Sequence, residues 1–173
     1  LNLFAEVFRE NSSAKPRRWR IEHAQHLHAD DIPRFAKLGV IASMQGIHCT
    51  SDAVFVLQRL GLRRAEQGAY VWQSLIKSGA VVSNGTDAPV EDIDPIACFY
   101  ASVTRKLPSG ASFFPEQKMT REQALRSYTA QAAYAAFEED LKGTLAPGKL
   151  ADVVVLSQDI LTIPDEKLPD ARV

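Results

Sequence analysis

Two short segments of this chain carry side chains suited to hydrolytic chemistry: Arg20-Ile21-Glu22-His23-Ala24-Gln25 and Ser83-Asn84-Gly85-Thr86-Asp87-Ala88-Pro89-Val90-Glu91. Each follows a short apolar run that reads as a buried β-strand, so His23 and Asp87 each fall where a strand ends. Neutral imidazole is the commonest metal ligand, and a carboxylate both binds a cation and accepts a proton from an attacking water. Plainer readings stand beside these. His23 also fits a core histidine with both nitrogens satisfied. Asp87 also fits a residue capping its own turn, with Gly85 bending the backbone and Pro89 stiffening the exit; taken alone, the turn reading is favoured.

The other candidates are weaker. His48 sits in the loop after the second apolar run, at the same end of the sheet as His23. It is either a loop histidine or a group that polarises a substrate carbonyl or binds a leaving group. His26 and His28 follow His23 at a spacing that fits no usual zinc pattern, and they read as solvated loop histidines. Cys49 beside His48 suggests a thiol nucleophile, yet adjacent residues on an extended chain point apart. Lys15, Arg17, Arg18 and Arg20, with Trp19 among them, read as a solvated approach to a strand. They do not read as a nucleic-acid contact, because no neighbouring segment extends the charge.

The elements that must position these residues follow from periodicity and punctuation. Leu1, Phe4, Val7 and Phe8 share a helical face, so the chain opens inside an amphipathic helix and reads as the C-terminal piece of a longer protein. That helix is expected to end near Asn11-Ser12-Ser13, with Pro16 preventing continuation. Strands are expected at Trp19–His23, Val40–Met44, Ala80–Ser83 and from Asp152 to about Leu156. Helices are expected from Asp30 to Leu38 (stopped by Gly39), Asp52 to Gly61, Gly68 to Ser78, from Asp94-Pro95 onward, and from a Thr120–Gln123 capping box to about Phe137. Gln45–Ser51 and Lys106–Lys118 read as loops. Alternating strands and helices argue for an α/β fold, a parallel sheet with helices outside it. Three such units make at most part of an eightfold barrel, which needs about 250 residues.

Composition narrows the class further. The chain has 173 residues, 46% hydrophobic and 24% charged, with a formal net charge of −1. One ordinary domain with a real core is expected, with no general attraction to nucleic acid or to an anionic membrane. No apolar run approaches the roughly 20 residues that span a bilayer. Cys49 and Cys98 match no metal or redox spacing and read as reduced thiols of a cytoplasmic protein.

Together these strings resemble the metal-dependent amidohydrolase superfamily, in its amidohydrolase-3 or YtcJ-like branch. The matching stretches are RIEHAQ, ASMQ-x-IHCTSD, YVWQSL, SNGTDAPVEDIDP, SYTAQAAYAAFEEDLKGTL and APGKLADVVVLSQDIL, in the right order along nearly the whole chain. The resemblance implies the C-terminal part of a TIM (β/α)8 barrel: strands six to eight with their helices over residues 1–145, then a segment, 146–173, returning toward a small β-sandwich. It implies one or two divalent metals, zinc first among them, with His23 and Asp87 as ligands, Asp87 also as general base, and His48 as a substrate contact. It implies hydrolysis of a non-peptide C–N bond in a small-molecule substrate; the alternative is a regulatory or binding protein on the same fold. The family's remaining ligands would lie upstream of Leu1, so the piece alone is expected to be inactive, to bind metal weakly or not at all, and to self-associate through its unpaired strand edges. Gly46 stands where relatives commonly carry proline, and Gln73 where many carry arginine.

Overall fold

The computed structural model describes residues 1–11 and 17–173. The expectations for Ser12, Ser13, Lys15 and Pro16 lie outside them. Helix α1 (Asn2–Glu10) packs Leu1 and Phe4 against the core, and Phe4 and Phe8 rest on Trp19 at ring separations of 5.0 and 5.1 Å. A three-stranded parallel sheet follows, in the order β1 (Arg20–Glu22), β2 (Ile41–Gln45), β3 (Val82–Gly85). Glu22 lies opposite Ser43, and Ser43 opposite Ser83. The three strands therefore run level and end at one rim. The central strand β2 is buried along its length, with Ser43 less so. By contrast β1, expected to be buried, is an edge: Arg20 and Glu22 are exposed and pair with each other at 2.9 Å.

Between β1 and β2, α2 (Ile32–Leu38) ends at Gly39, whose φ of 60° provides the left-handed stop expected of it. It brings Phe35, fully buried, against the core. Beyond β2 the expected loop is partly helical: α3 (His48–Ser51) leads directly into α4 (Ala53–Leu60), with Asp52 between them. The helix expected over Gly68–Ser78 is instead two, α5 (Leu62–Gly68) and α6 (Trp72–Lys77). A crossing strand of backbone accounts for the break. Leu27 N–H donates to Gly68 C=O at 2.9 Å and Tyr70 N–H to Gln25 C=O at 2.7 Å, and Tyr70 takes a φ of 54° to make the bend. A Cβ on Gly68 would fall 2.0 Å from the Leu27 carbonyl oxygen, so the crossing needs glycine there.

After β3 come α7 (Pro95–Thr104), α8 (Arg121–Tyr128) and α9 (Ala130–Ala135). Asp94 caps α7 by accepting from Ile96 N–H and Ala97 N–H at 2.9 and 3.0 Å, and the Thr120–Gln123 box is closed in both directions. The long helix expected to Phe137 breaks at Thr129, whose hydroxyl donates back to Leu125 C=O at 2.8 Å while Gly143 lies against its backbone. The strand expected from Asp152 is a correction of a different kind. Residues 151–155 form no ladder with any described residue, and Val153, Val154 and Val155 are 56%, 65% and 79% exposed. A β-rich apolar run needs a pairing edge before it becomes a strand.

One side chain locks the rim. Asn84 Oδ1 accepts from Gly46 N–H and from Gly85 N–H, each at 3.0 Å, and Asn84 Nδ2 donates to Ser102 Oγ of α7 at 3.0 Å. Gly46 thus has a working N–H, and a Cβ there would lie 2.1 Å from Ser102 Oγ and 2.5 Å from Cys98 C=O. Gly46→Ala should cost about 1–3 kcal/mol through overpacking, and Gly46→Pro more, because it also removes the donor to Asn84. Urea unfolding of the two variants against the parent chain checks both the size and the order.

Candidate metal centre

Each strand delivers one side chain to the common rim. His23 directly follows β1, His48 opens α3 after β2, and Asp87 lies two residues past β3. Two of these deliveries use left-handed backbone: φ is 66° at His23 and 64° at Asp87. His and Asp are among the few non-glycine types that occupy this region with any frequency. Asp87 C=O accepts from Val90 N–H at 2.8 Å, so Asp87 closes a turn through its backbone while its side chain stays free at the rim.

The three side chains offer one ligand atom each within 4.8 Å of one another. His23 Nδ1 lies 3.9 Å, and His48 Nε2 3.3 Å, from Asp87 Oδ2; the two imidazole rings are 5.8 Å apart. The space they share is cation-sized, and an imidazole nitrogen with a carboxylate oxygen suits a divalent ion of borderline softness. The environment is graded: the His48 side chain is 7% exposed, Asp87 25% and His23 48%, so the centre opens to solvent on the His23 side.

Polar residues behind the rim orient these groups, and their sequence signal was weak. Gln45, the last residue of β2, puts its Oε1 3.0 Å from His23 Nδ1. Gln25 puts its Nε2 3.0 Å from His48 Nδ1 and donates to Asp52 Oδ2 at 3.3 Å. Asp52 also accepts a short hydrogen bond from the Tyr70 hydroxyl. Gln25 and Gln45 stand inside the quoted motifs, two residues after a ligand-type histidine and at a strand end. Asp52 reads in sequence as a helix start, and Tyr70 stands in the YVWQSL stretch with no role of its own assigned there.

The remaining candidates stay apart from the centre. His26 sits edge-on to Tyr70 at 5.3 Å, and burial lowers its pKa below the ordinary 6.5. His28 is exposed and accepts from Asp30 N–H in the turn before α2. Of the basic run, Arg18 is paired with Glu139 and lies 3.7 Å from the centre of the Tyr134 ring. Cys49 is fully buried, and burial pushes its thiol from 9.0 up to about 12. A thiol that stays neutral and dry is no nucleophile, which removes the Cys49–His48 reading.

With the centre described, likeness to known proteins has a structural counterpart. The amidohydrolase family profile matches residues 1–173, and the chain belongs to that family. It is 39% identical over 158 residues to Protein LONG AFTER FAR-RED 3 of Arabidopsis thaliana, covering 91% of this chain and 27% of that protein. It is 32% identical to the putative amidohydrolase YtcJ of Bacillus subtilis, covering 86% and 28%, and 27% identical to the N-substituted formamide deformylase of Arthrobacter pascens, covering 89% and 28%. An uncharacterized metal-dependent hydrolase of Pyrococcus horikoshii superposes with a TM-score of 0.78 at 30% identity, over 95% of this chain and 33% of that one. The chain thus spans somewhat more than a quarter of the length of the curated relatives it matches.

Burial of the thiol also sets a pH dependence. The folded state holds the Cys49 proton more tightly than the unfolded chain. Its contribution to stability is therefore complete below pH 9.0 and is lost as pH rises toward about 12. Burial shifts Tyr70 and Tyr128 in the same upward direction, so the unfolding midpoint should fall across that window. Both thiols should resist iodoacetamide at pH 8 in the native chain and react on unfolding; rapid native alkylation of Cys49 contradicts the assignment.

Proposed function

We propose that this chain forms strands six to eight, with their helices, of a (β/α)8 metal-dependent hydrolase acting on non-peptide C–N bonds such as those of cyclic or N-acyl amides. Residues 1–145 belong to the barrel and 146–173 return toward a β-sandwich. The observation that carries the reading is the convergence of His23, His48 and Asp87 at the C-terminal ends of three parallel strands, the face on which barrel enzymes build their active sites. Family membership supports hydrolysis of amide-type bonds, and the formamide deformylase named above is consistent with a C–N substrate.

In this reading His23 and Asp87 are ligands to a divalent ion, with zinc the first candidate. Such an ion supplies Lewis acidity that makes hydroxide available near neutral pH. The proton movements belong to the chain. Asp87 keeps a carboxylate oxygen at the rim to accept the proton of the attacking water. His48 turns Nε2 into the same space, where it can donate to a substrate carbonyl. Gln45 holds the His23 ring in place.

In the protein that contains this chain, Asp87→Asn should lower kcat by about 10²–10⁴-fold, the range a positioned general base contributes. Hydrolysis of a panel of N-formyl and cyclic amides, with and without chelator and added divalent ion, measures this. Full activity in the Asn variant, or activity indifferent to chelation, would falsify the proposal. The isolated 173-residue chain supplies only part of a ligand set that needs at least three protein groups. Calorimetric titration with zinc should accordingly show no tight stoichiometric binding.

A further inference from the structure

The polar cluster behind His48 determines where that imidazole carries its proton, and with it what His48 can do. Asp52 faces two neighbours: the Tyr70 hydroxyl, which donates to Oδ2, and the Gln25 side chain, 3.3 Å away. An ionised carboxylate only accepts. The Gln25 atom facing Asp52 is therefore its amide nitrogen. That same nitrogen lies 3.0 Å from His48 Nδ1 and has a second hydrogen to give, so Nδ1 must accept it. A neutral imidazole that accepts at Nδ1 carries its hydrogen on Nε2, and Nε2 is the atom 3.3 Å from Asp87 Oδ2.

From this geometry we infer that Gln25, Asp52 and Tyr70 are positioning residues that hold His48 as the Nε2–H tautomer, a hydrogen-bond donor to the rim and not a metal ligand. A histidine binds metal through a nitrogen that bears no hydrogen; here the only such nitrogen is turned inward onto Gln25. His23 has the opposite wiring. Its Nδ1 faces two acceptors, Gln45 Oε1 at 3.0 Å and Asp87 Oδ2 at 3.9 Å, which favours the hydrogen on Nδ1 and a lone pair on Nε2. Two histidines at one rim are thus assigned different work by the amides behind them, one given an oxygen and the other a nitrogen. Burial strengthens the assignment. His48 is 7% exposed at its side chain and Tyr70 1% exposed, so water does not readily replace a lost partner. The use of the Nε2–H as a donor to a substrate carbonyl rests on the hydrolase reading; the tautomer itself does not.

Long-range 1H–15N correlation spectra of the 173-residue chain, recorded about two pH units above the ordinary imidazole value of about 6.5, report the tautomer of each histidine directly. His48 should be at least about fivefold in favour of Nε2–H, the bias one net hydrogen bond of ordinary strength supports. Asp52→Asn keeps an acceptor oxygen for Gln25 and should preserve the bias. Asp52→Leu frees the Gln25 amide to rotate and should erase it, with the His23 signal unchanged in both variants as a control on folding. Wild-type His48 mainly as Nδ1–H, an even mixture, loss of bias in Asp52→Asn, or an unchanged bias in Asp52→Leu would each overturn the inference. Neither metal nor substrate enters the measurement. A failed tautomer result therefore leaves the hydrolase reading intact, and an inactive enzyme leaves the tautomer assignment intact.

Discussion

Level, parallel pairing of three short strands is the constraint from which the centre follows. Because Glu22, Ser43 and Ser83 stand side by side, the residues just beyond each strand emerge at one height. In an antiparallel sheet the middle connection would leave from the opposite end, and His48 could not meet His23 and Asp87. Strand pairing supplies only the height, however. The lateral convergence depends on Asn84, whose amide joins the exits of β2 and β3 and anchors both to α7.

The rim also concentrates backbone strain. His23, Ala24, Tyr70 and Asp87 all have positive φ, a conformation that costs non-glycine residues about 1–3 kcal/mol in unfavourable cases. Tyr70 is the least suited of the four, and it is the most firmly held. Its N–H donates to Gln25, its carbonyl accepts from Arg105 Nη1 at 3.0 Å, and its hydroxyl donates to Asp52. Arg105 is itself fully buried, with its guanidinium 4.6 Å from the centre of the Trp72 ring, and Arg105 Nε donates to Phe113 C=O at 2.5 Å. A bulky residue in a poor conformation is thus fixed by one bond from each direction. The effect is to aim a phenol at the carboxylate that orients Gln25.

Charge and exposure are distributed in keeping with that arrangement. The carboxylate closest to the centre of the network, Asp52, is enclosed by donors, whereas Asp87 remains a quarter exposed and free to meet a ligand. The exposed Val153–Val155 run and Leu145 form an apolar surface that the described residues leave without a partner.

Much of this could be read before any coordinates. Glycine stops, proline starts and the capping box located α2, α7 and α8, because those signals act within a single turn of backbone. The apolar runs located the three strands for the same local reason, and the RIEHAQ and GTDAPVE strings singled out His23 and Asp87. Tertiary structure alone decided the rest. The break between α5 and α6, the kink at Thr129 and the unpaired state of 151–155 each depend on backbone that arrives from elsewhere in the chain or does not arrive at all. Likewise, the division of labour between His23 and His48 lies in which amide atom faces each ring. For His48 that choice is imposed by Asp52 and Tyr70, 27 and 45 residues beyond Gln25. A residue's type determines what hydrogen bonds it can make; which one it makes is decided by neighbours that only folding brings within 3 Å or so.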